Sequence, residues 1–345
     1  MIESSVHPSE PVMLPGRPSG AVARSIAAHV LVTVLMLLAS TLVFVPAALL
    51  HCGIRNGRRA AWITAALAIA PFFIYAMLIP AGPAANTGWS YVAVLSLAIA
   101  LPTLLVLPFV QRGEKFGSVL ALLLLFSILG LAATEALSRT ALDFSPYAEQ
   151  IADYNRVKDT TLQQYKERGA AEQWIRSMKQ LLEASLYVLP ALLLMGLSFF
   201  FILSLLMLGR LNAWREVAAR RGDGQTLGAY LFRNFSLPDW VLFAFIIGGL
   251  TPLATGMLQK VAANTLAVVV FLYMLQGLAI FRFLVAAMGG GLVQTMFGWL
   301  MLVFLTALTA GAPMLLLGVA GLFDSFFDFR HFKKRKDDSH ESHSD

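Results

Sequence analysis

From Ala184 to Gly209 the chain runs 26 residues without a charged side chain. A helix needs about 20 apolar residues to cross roughly 30 Å of hydrocarbon, so this segment alone predicts a membrane span. It has company at 27–50, 60–80, 89–110, 117–137, 239–257 and 264–285. A further run, 291–327, would reach about 55 Å as one helix, too far for a single crossing. Gly311-Ala312-Pro313 interrupts it, and proline removes a backbone donor and disfavours helix before it. Splitting it into 291–310 and 313–327 gives about nine spans. Composition agrees: 58% of residues are hydrophobic and 13% charged, against roughly 25% charged in soluble domains. A soluble enzyme and a disordered chain are both excluded. The expected fold class is all-α, a polytopic transmembrane helical bundle with an extracytoplasmic helical hairpin.

Loop charges set the expected orientation. The 51–59 loop carries Arg55, Arg58 and Arg59, and the 111–116 loop Arg112 and Lys115. Segment 210–238 carries Arg210, Arg215, Arg220, Arg221 and Arg233, and the tail carries Arg330 and Lys333-Lys334-Arg335-Lys336. Nine spans place all four on one side, the cytoplasm. The opposite loops, 81–88 and 258–263, hold Lys260 as their one basic residue. Run 27–50 is too long for a signal-peptide core of about 7–15 residues and reads as a retained span. A break near Pro46 is the alternative, folding 24–54 into a re-entrant hairpin with the N-terminus inside.

The expected organisation follows. Residues 1–26, rich in proline and glycine, form a flexible N-terminal tail. Residues 27–137 form the N-terminal transmembrane helices, 138–183 the outer hairpin, and 184–327 the C-terminal transmembrane helices with cytoplasmic loop 210–238. Residues 328–345 form a charged tail. In the hairpin, Ser145-Pro146 reads as an N-cap followed by proline at the first helical position. Tyr147, Ile151, Tyr154, Val157, Leu162 and Tyr165 then share one helix face, Gly169 ends that helix, and Trp174, Ile175, Met178, Leu181 and Leu182 make a second stripe. The stripes are expected to cover each other across segments 145–168 and 171–183. In the cytoplasmic loop, Leu211, Trp214, Val217 and Ala218 face one way, as in an interfacial helix.

The net charge of +6 fits anionic lipid, so the lipid bilayer is the expected partner. The dense basic run directly follows an apolar segment and reads as a membrane anchor, with no nucleic-acid partner. Lone Cys52 precludes an internal disulfide and reads as a small apolar residue.

Chemistry is sparse. The histidines are placed at span ends or in tails, which argues against a buried histidine metal site; Ser198 reads as packing and Gly289-Gly290-Gly291 as a turn. No catalytic constellation, cofactor or metal is expected. Glu135 is expected near the outer interface, and Arg282 and Asp324 near the inner one. Arg282 is expected to form a structural ion pair with Asp324 or Asp328. The candidate substrate-binding residues are Thr251, Tyr273 and Gln276. Pro252 frees the carbonyl of residue 248 at mid-depth, and an amide such as Gln276 in hydrocarbon requires partners. Broken helices with polar residues at mid-depth are where transporters bind solutes. The plainer account is that Gln276 bonds freed backbone and fixes the bundle.

The order of Leu237-Pro238, Asn264-Thr265-Leu266, Tyr273-Met274-Leu275-Gln276-Gly277-Leu278-Ala279, Gly321-Leu322-Phe323-Asp324 and Asp328-Phe329-Arg330 resembles the YybS-like predicted membrane proteins of bacteria, a family of unknown function. The resemblance covers roughly 27–332 and is most specific in 237–330. That family is remotely similar to the substrate-binding subunits of energy-coupling-factor vitamin transporters, small helical bundles that work with a coupling protein and ATPases. The nine expected spans depart from their about six, and the outer insertion is foreign to them. The resemblance implies a non-enzymatic, multi-pass protein of the bacterial inner membrane that binds a small-molecule solute as a transport subunit, with membrane-protein or ATPase partners. A non-catalytic envelope assembly or scaffold protein is the alternative.

Overall fold

The longest apolar runs form helices where their length predicts them. The protein is described by a computed structural model covering residues 19–38, 42–78, 83–211, 231–287, 291–309 and 312–327. The expectations for residues 1–18, for 212–230, for Gly289-Gly290, and for Asp328 and the basic run concern residues outside these. Every regular element among the described residues is helical. Six helices are long and apolar enough to cross a membrane: Gly20–Leu38, Arg58–Leu78, Gly88–Arg112, Phe116–Ala141, Leu189–Arg210 and Gly256–Ala286. Leu42–Asn56 and Trp240–Leu253 are shorter apolar helices, and Met296–Leu308 with Ala312–Phe327 form a pair bent by 117°. The chain is thus an all-α, multi-pass helical membrane protein.

The first expected span is corrected. Segment 27–50 is two arms of a hairpin: α1 (Ser19–Leu38) and, after a 3-10 turn at Leu42–Phe44, α2 (Val45–Asn56). The break falls after Leu38, ahead of Pro46, which sits in the first turn of α2, where a missing N–H costs nothing. Asn56 Nδ2 donates to Ser25 Oγ at 3.0 Å, so both ends of the hairpin lie together. Ser19 is thereby brought to the end of the bundle that holds Arg58. Helix α2 is buried along nearly its whole length, from Val45 to Leu50 and again at Cys52, Gly53 and Ile54. At 12 residues it rises about 18 Å, little more than half the hydrocarbon thickness. Its start is therefore inside the bundle, where the Val43 carbonyl accepts a hydrogen bond from Ser204 Oγ.

Helix α3 (Arg58–Leu78) returns beside this hairpin. Next, α4 (Pro83–Ala93) runs through a π-helical stretch, Val94–Ala100, into α5 (Leu101–Arg112). Pro102 has no N–H to offer the carbonyl four residues earlier. That carbonyl belongs to Ala98, and Ser127 Oγ of α6 (Phe116–Leu142) donates to it at 2.7 Å. The wider turn is satisfied by a neighbouring helix, as a buried backbone group must be in lipid. Leu49 and Leu50 of α2, Leu107 of α5, Leu120 and Leu123 of α6, and Leu205 of α9 (Leu189–Arg210) share the buried core of this half.

Between α6 and α9 stands the expected hairpin, α7 (Pro146–Glu167) and α8 (Glu172–Tyr187). Ser145 caps α7, accepting from Ala148 N–H at 3.1 Å. Gly169 takes φ +77 at the turn, a left-handed conformation that costs glycine little. The Tyr165 and Trp174 rings meet at 60° with centroids 4.5 Å apart, and Tyr154 Oη donates to the Leu182 carbonyl at 3.0 Å. The stripes meet at these contacts but cover each other only in part: no residue of either helix is buried, and Val157 (64% exposed) and Leu181 (63%) stay outside.

The second half is built from α10 (Trp240–Gly249), the long α11 (Gly256–Ala287), α12 (Leu292–Leu308) and α13 (Ala312–Phe327). The split expected at 311–313 is present. Helix α10 is only 10 residues, about 15 Å, so it too stops short. Asn264 of α11 joins the halves: its Oδ1 accepts from Ala191 N–H at 2.9 Å at the start of α9, and its Nδ2 donates to the Tyr187 carbonyl at 3.2 Å.

Candidate functional site

Helices α11 and α13 approach until their backbones touch. A β-carbon on Gly277 would lie 1.9 Å from the Leu317 carbonyl oxygen, and one on Gly321 would lie 2.0 Å from that of Tyr273. Only glycine fits either position, the small-residue contact that lets membrane helices pack closely. This contact brings Tyr273 and Gln276 of α11 to Asp324 and Ser325 of α13. Gln276 Nε2 donates to Asp324 Oδ2 at 3.0 Å, and the Tyr273 side chain hydrogen-bonds Ser325. Phe245 of α10 packs edge-on against the Tyr273 ring at 5.9 Å. All three polar groups are enclosed, with exposures of 1% for Gln276, 2% for Tyr273 and 7% for Asp324.

The third partner comes from the chain ahead of α10. Residues 231–239 form a 3-10 turn at Phe232–Asn234 and then an extended stretch. Phe235 is fully buried, its ring 5.2 Å from that of Phe116, and the Ser236 carbonyl lies against Gly117. The next residue, Leu237, donates its backbone N–H to Gln276 Oε1 at 2.9 Å. Pro238 follows, and proline biases the residue before it away from helix. A wedge from the connecting loop thus sits between the start of α6 and the middle of α11. Gln276 ties that wedge to Asp324, using one donor and one acceptor at once.

Thr251 is elsewhere. Gly248 lies against Leu266, Phe245 against Tyr273, and Leu237 against Gln276. Along this register Thr251 falls beyond Gly248, at least about 15 Å from Gln276 by helical rise. Its hydroxyl donates to the Gly248 carbonyl at 2.5 Å, the group that Pro252 leaves without an N–H. Thr251 serves the end of a broken helix, and the cluster is Tyr273, Gln276 and Asp324. Asp324, expected in an ion pair with Arg282, has Gln276 as a partner. Glu135 ties the end of α6 to the start of α7, accepting from Arg139 Nε at 2.6 Å, Ser145 Oγ at 2.5 Å and Tyr147 N–H at 3.1 Å.

A second polar cluster escaped the sequence reading. His29, placed near a span end there, is at the centre of Gly20–Leu38. Its Nε2 lies 2.8 Å from Nδ1 of His51 on α2, and its Nδ1 donates to the Ser25 carbonyl at 2.6 Å. Nearby, Asn56 reaches Ser25, and Cys52 Sγ shares a hydrogen bond with Thr64 Oγ1 at 3.2 Å. Two histidines 22 residues apart in one apolar run were the available signal. Drawing that run as one helix put them at opposite ends.

The sequence model of a family described as "Predicted membrane protein (DUF2232)" matches residues 22–325. No curated protein and no solved structure matches the chain.

Proposed function

The chain belongs to the DUF2232 family of predicted membrane proteins, and on that premise we propose that it is the non-enzymatic, solute-binding membrane subunit of a transporter in the bacterial inner membrane. The observation that carries this is the occupant of Gln276: a backbone N–H from a loop wedge. When residues 231–239 withdraw, Gln276 regains a free acceptor beside Tyr273 and Asp324, and a small polar solute with a donor group takes the place of Leu237. The half-height helices α2 and α10 support the same reading, because transporters build midplane sites from discontinuous helices. The wedge continues from the arginine-rich loop 210–238, so a cytoplasmic partner pulling on that loop would open the site. This fits the resemblance to YybS-like proteins and energy-coupling-factor subunits, which implies separate coupling and ATPase partners. Purification of the tagged full chain from its own membranes tests the reading. Coupling and ATPase subunits in the eluate support it; envelope-synthesis proteins in their place refute it.

That second outcome belongs to the other reading, an envelope assembly scaffold working through the outer hairpin. The exposure of Val157 and Leu181 on α7 and α8 favours it.

A further inference from the structure

A cleft of about 340 Å³ opens where α7 meets the bundle, between the π-helical stretch, α6, α7 and α9. Val94, Ile128, Leu131, Leu193 and Leu194 make its apolar walls. Val94 begins the π-helical stretch, an irregularity frequent at functional sites. Glu135 near the end of α6, and Tyr147 and Gln150 in the first turns of α7, add polar side chains. Thr134 lines the cleft too, but its hydroxyl already donates to the Gly130 carbonyl at 2.9 Å. Depth orders these groups. From Phe116, Ile128 lies about 18 Å along α6 and Glu135 about 28 Å. Across roughly 30 Å of hydrocarbon, the apolar wall therefore starts near mid-bilayer and the polar rim reaches headgroup level on the hairpin's side.

The rim carries both signs of charge. Glu135 Oε1 accepts from Arg139 Nε and Ser145 Oγ, and Oε2 accepts from Tyr147 N–H at 3.1 Å. A carboxylate oxygen has two lone pairs, so Oε2 keeps room for another donor. Arg139 uses Nε on Glu135 and Nη2 on Ser145, and its side chain is 61% exposed. Its remaining guanidinium N–H groups face water, in the planar arrangement that suits phosphate.

We propose that the cleft binds one phospholipid with a zwitterionic ethanolamine head. An acyl chain lies along Ile128, Leu131, Leu193 and Leu194, the phosphate meets Arg139, and the ammonium meets Glu135. Charge complementarity selects this class. A head with phosphate alone brings a second anion to Glu135 with nothing to offset it, and a head with ammonium alone brings a second cation to Arg139. The lipid also gives the hairpin a footing. No residue of α7 is buried, and Pro146 and Tyr147 border the cleft, so the chain beneath them supplies apolar contact that the bundle does not. The site is built from other helices than the Tyr273, Gln276 and Asp324 cluster and does not depend on solute binding.

The test is photo-crosslinking of the full chain in phosphatidylglycerol nanodiscs. Trace phosphatidylethanolamine or phosphatidylglycerol is added, each carrying a diazirine in one acyl chain, and adducts are mapped by peptide mass spectrometry. The ethanolamine probe should mark Ile128, Leu131, Leu193 or Leu194 roughly tenfold more than the glycerol probe does, the size of one hydrogen bond to a charged group. Both probes should mark Leu129 and Phe199, which are 57% and 52% exposed, to the same extent. Arg139→Gln should abolish the excess in the cleft and leave Leu129 and Phe199 unchanged. Equal marking of the cleft by both probes in the unaltered chain overturns the proposal without any variant having to fold, by reassigning the cleft to bulk lipid. Adducts missing from the cleft, or an excess that survives Arg139→Gln, overturn it as well.

Discussion

Replacing Gln276 with Leu removes the group that ties the wedge to Asp324. The side chain keeps its volume, so the loss is polar. Leu237 N–H, now buried without an acceptor, costs about 2 kcal/mol, within the 1–3 kcal/mol range for stranding a buried donor. The Asp324 carboxylate loses a donor as well, at a cost of about 2 kcal/mol or more because it is charged. The first loss bears on the wedge, because that N–H is satisfied by water once residues 231–239 withdraw. About 2 kcal/mol corresponds to roughly a 30-fold rise in the withdrawn population. A Ser236→Cys reporter in a Cys52→Ser background reads this as its maleimide labelling rate in membranes. The rate should rise roughly 30-fold with Gln276→Leu. It should stay near its starting value with Asp324→Asn, which leaves the Leu237 bond in place. An unchanged rate in Gln276→Leu, or an equal rise in Asp324→Asn, would refute the reasoning.

Gly277→Ala and Gly321→Ala should each separate α11 from α13 and lower the melting temperature in detergent by several degrees; Gly318→Ala, whose β-carbon meets nothing within 4 Å, should leave it unchanged. Asn264→Ala strands the part-buried Ala191 N–H, so it should cost about 1–3 kcal/mol in denaturant unfolding, and Asn264→Asp, which keeps the acceptor, less. An impermeant thiol reagent on whole cells should fail to label cysteines at positions 57 and 20, because the α1–α2 hairpin puts them on one side, and labelling of only one of the two would break the hairpin assignment. If Arg282 pairs with Asp324, then Asp324→Ala should reduce folded yield more than the Arg282→Ala, Asp324→Ala double variant; equal yields would remove that pair from the account.

The fold was legible wherever a local rule decides it. Long uncharged runs gave α3, α6 and α9; Ser145-Pro146 and Gly169 bounded α7; proline marked the breaks at 252 and 313. Helix α2 was legible only as the alternative, a break near Pro46, because a helix buried along nearly its whole length has no polar side to betray its ends, and run 27–50 is apolar throughout both arms. The π-helical stretch was hidden for a different reason: Pro102 announces a lost hydrogen bond, yet its replacement comes from Ser127 on another helix. Two of the three expected solute-binding residues, Tyr273 and Gln276, are brought together, and Asp324 joins them from a helix expected to pair with Arg282. Depth along a span could suggest that Gln276 needs partners. It could not name a backbone N–H 39 residues earlier, because that pairing depends on a loop entering the bundle.

Hydrogen–deuterium exchange of the peptide holding Leu237 tests the central claim most directly, in the full chain reconstituted alone and in its purified assembly. The account predicts slow exchange of the Leu237 amide in the isolated protein and faster exchange in the assembly during ATP turnover, as the wedge leaves Gln276. Free exchange in the isolated protein, or equal protection in both, would contradict it.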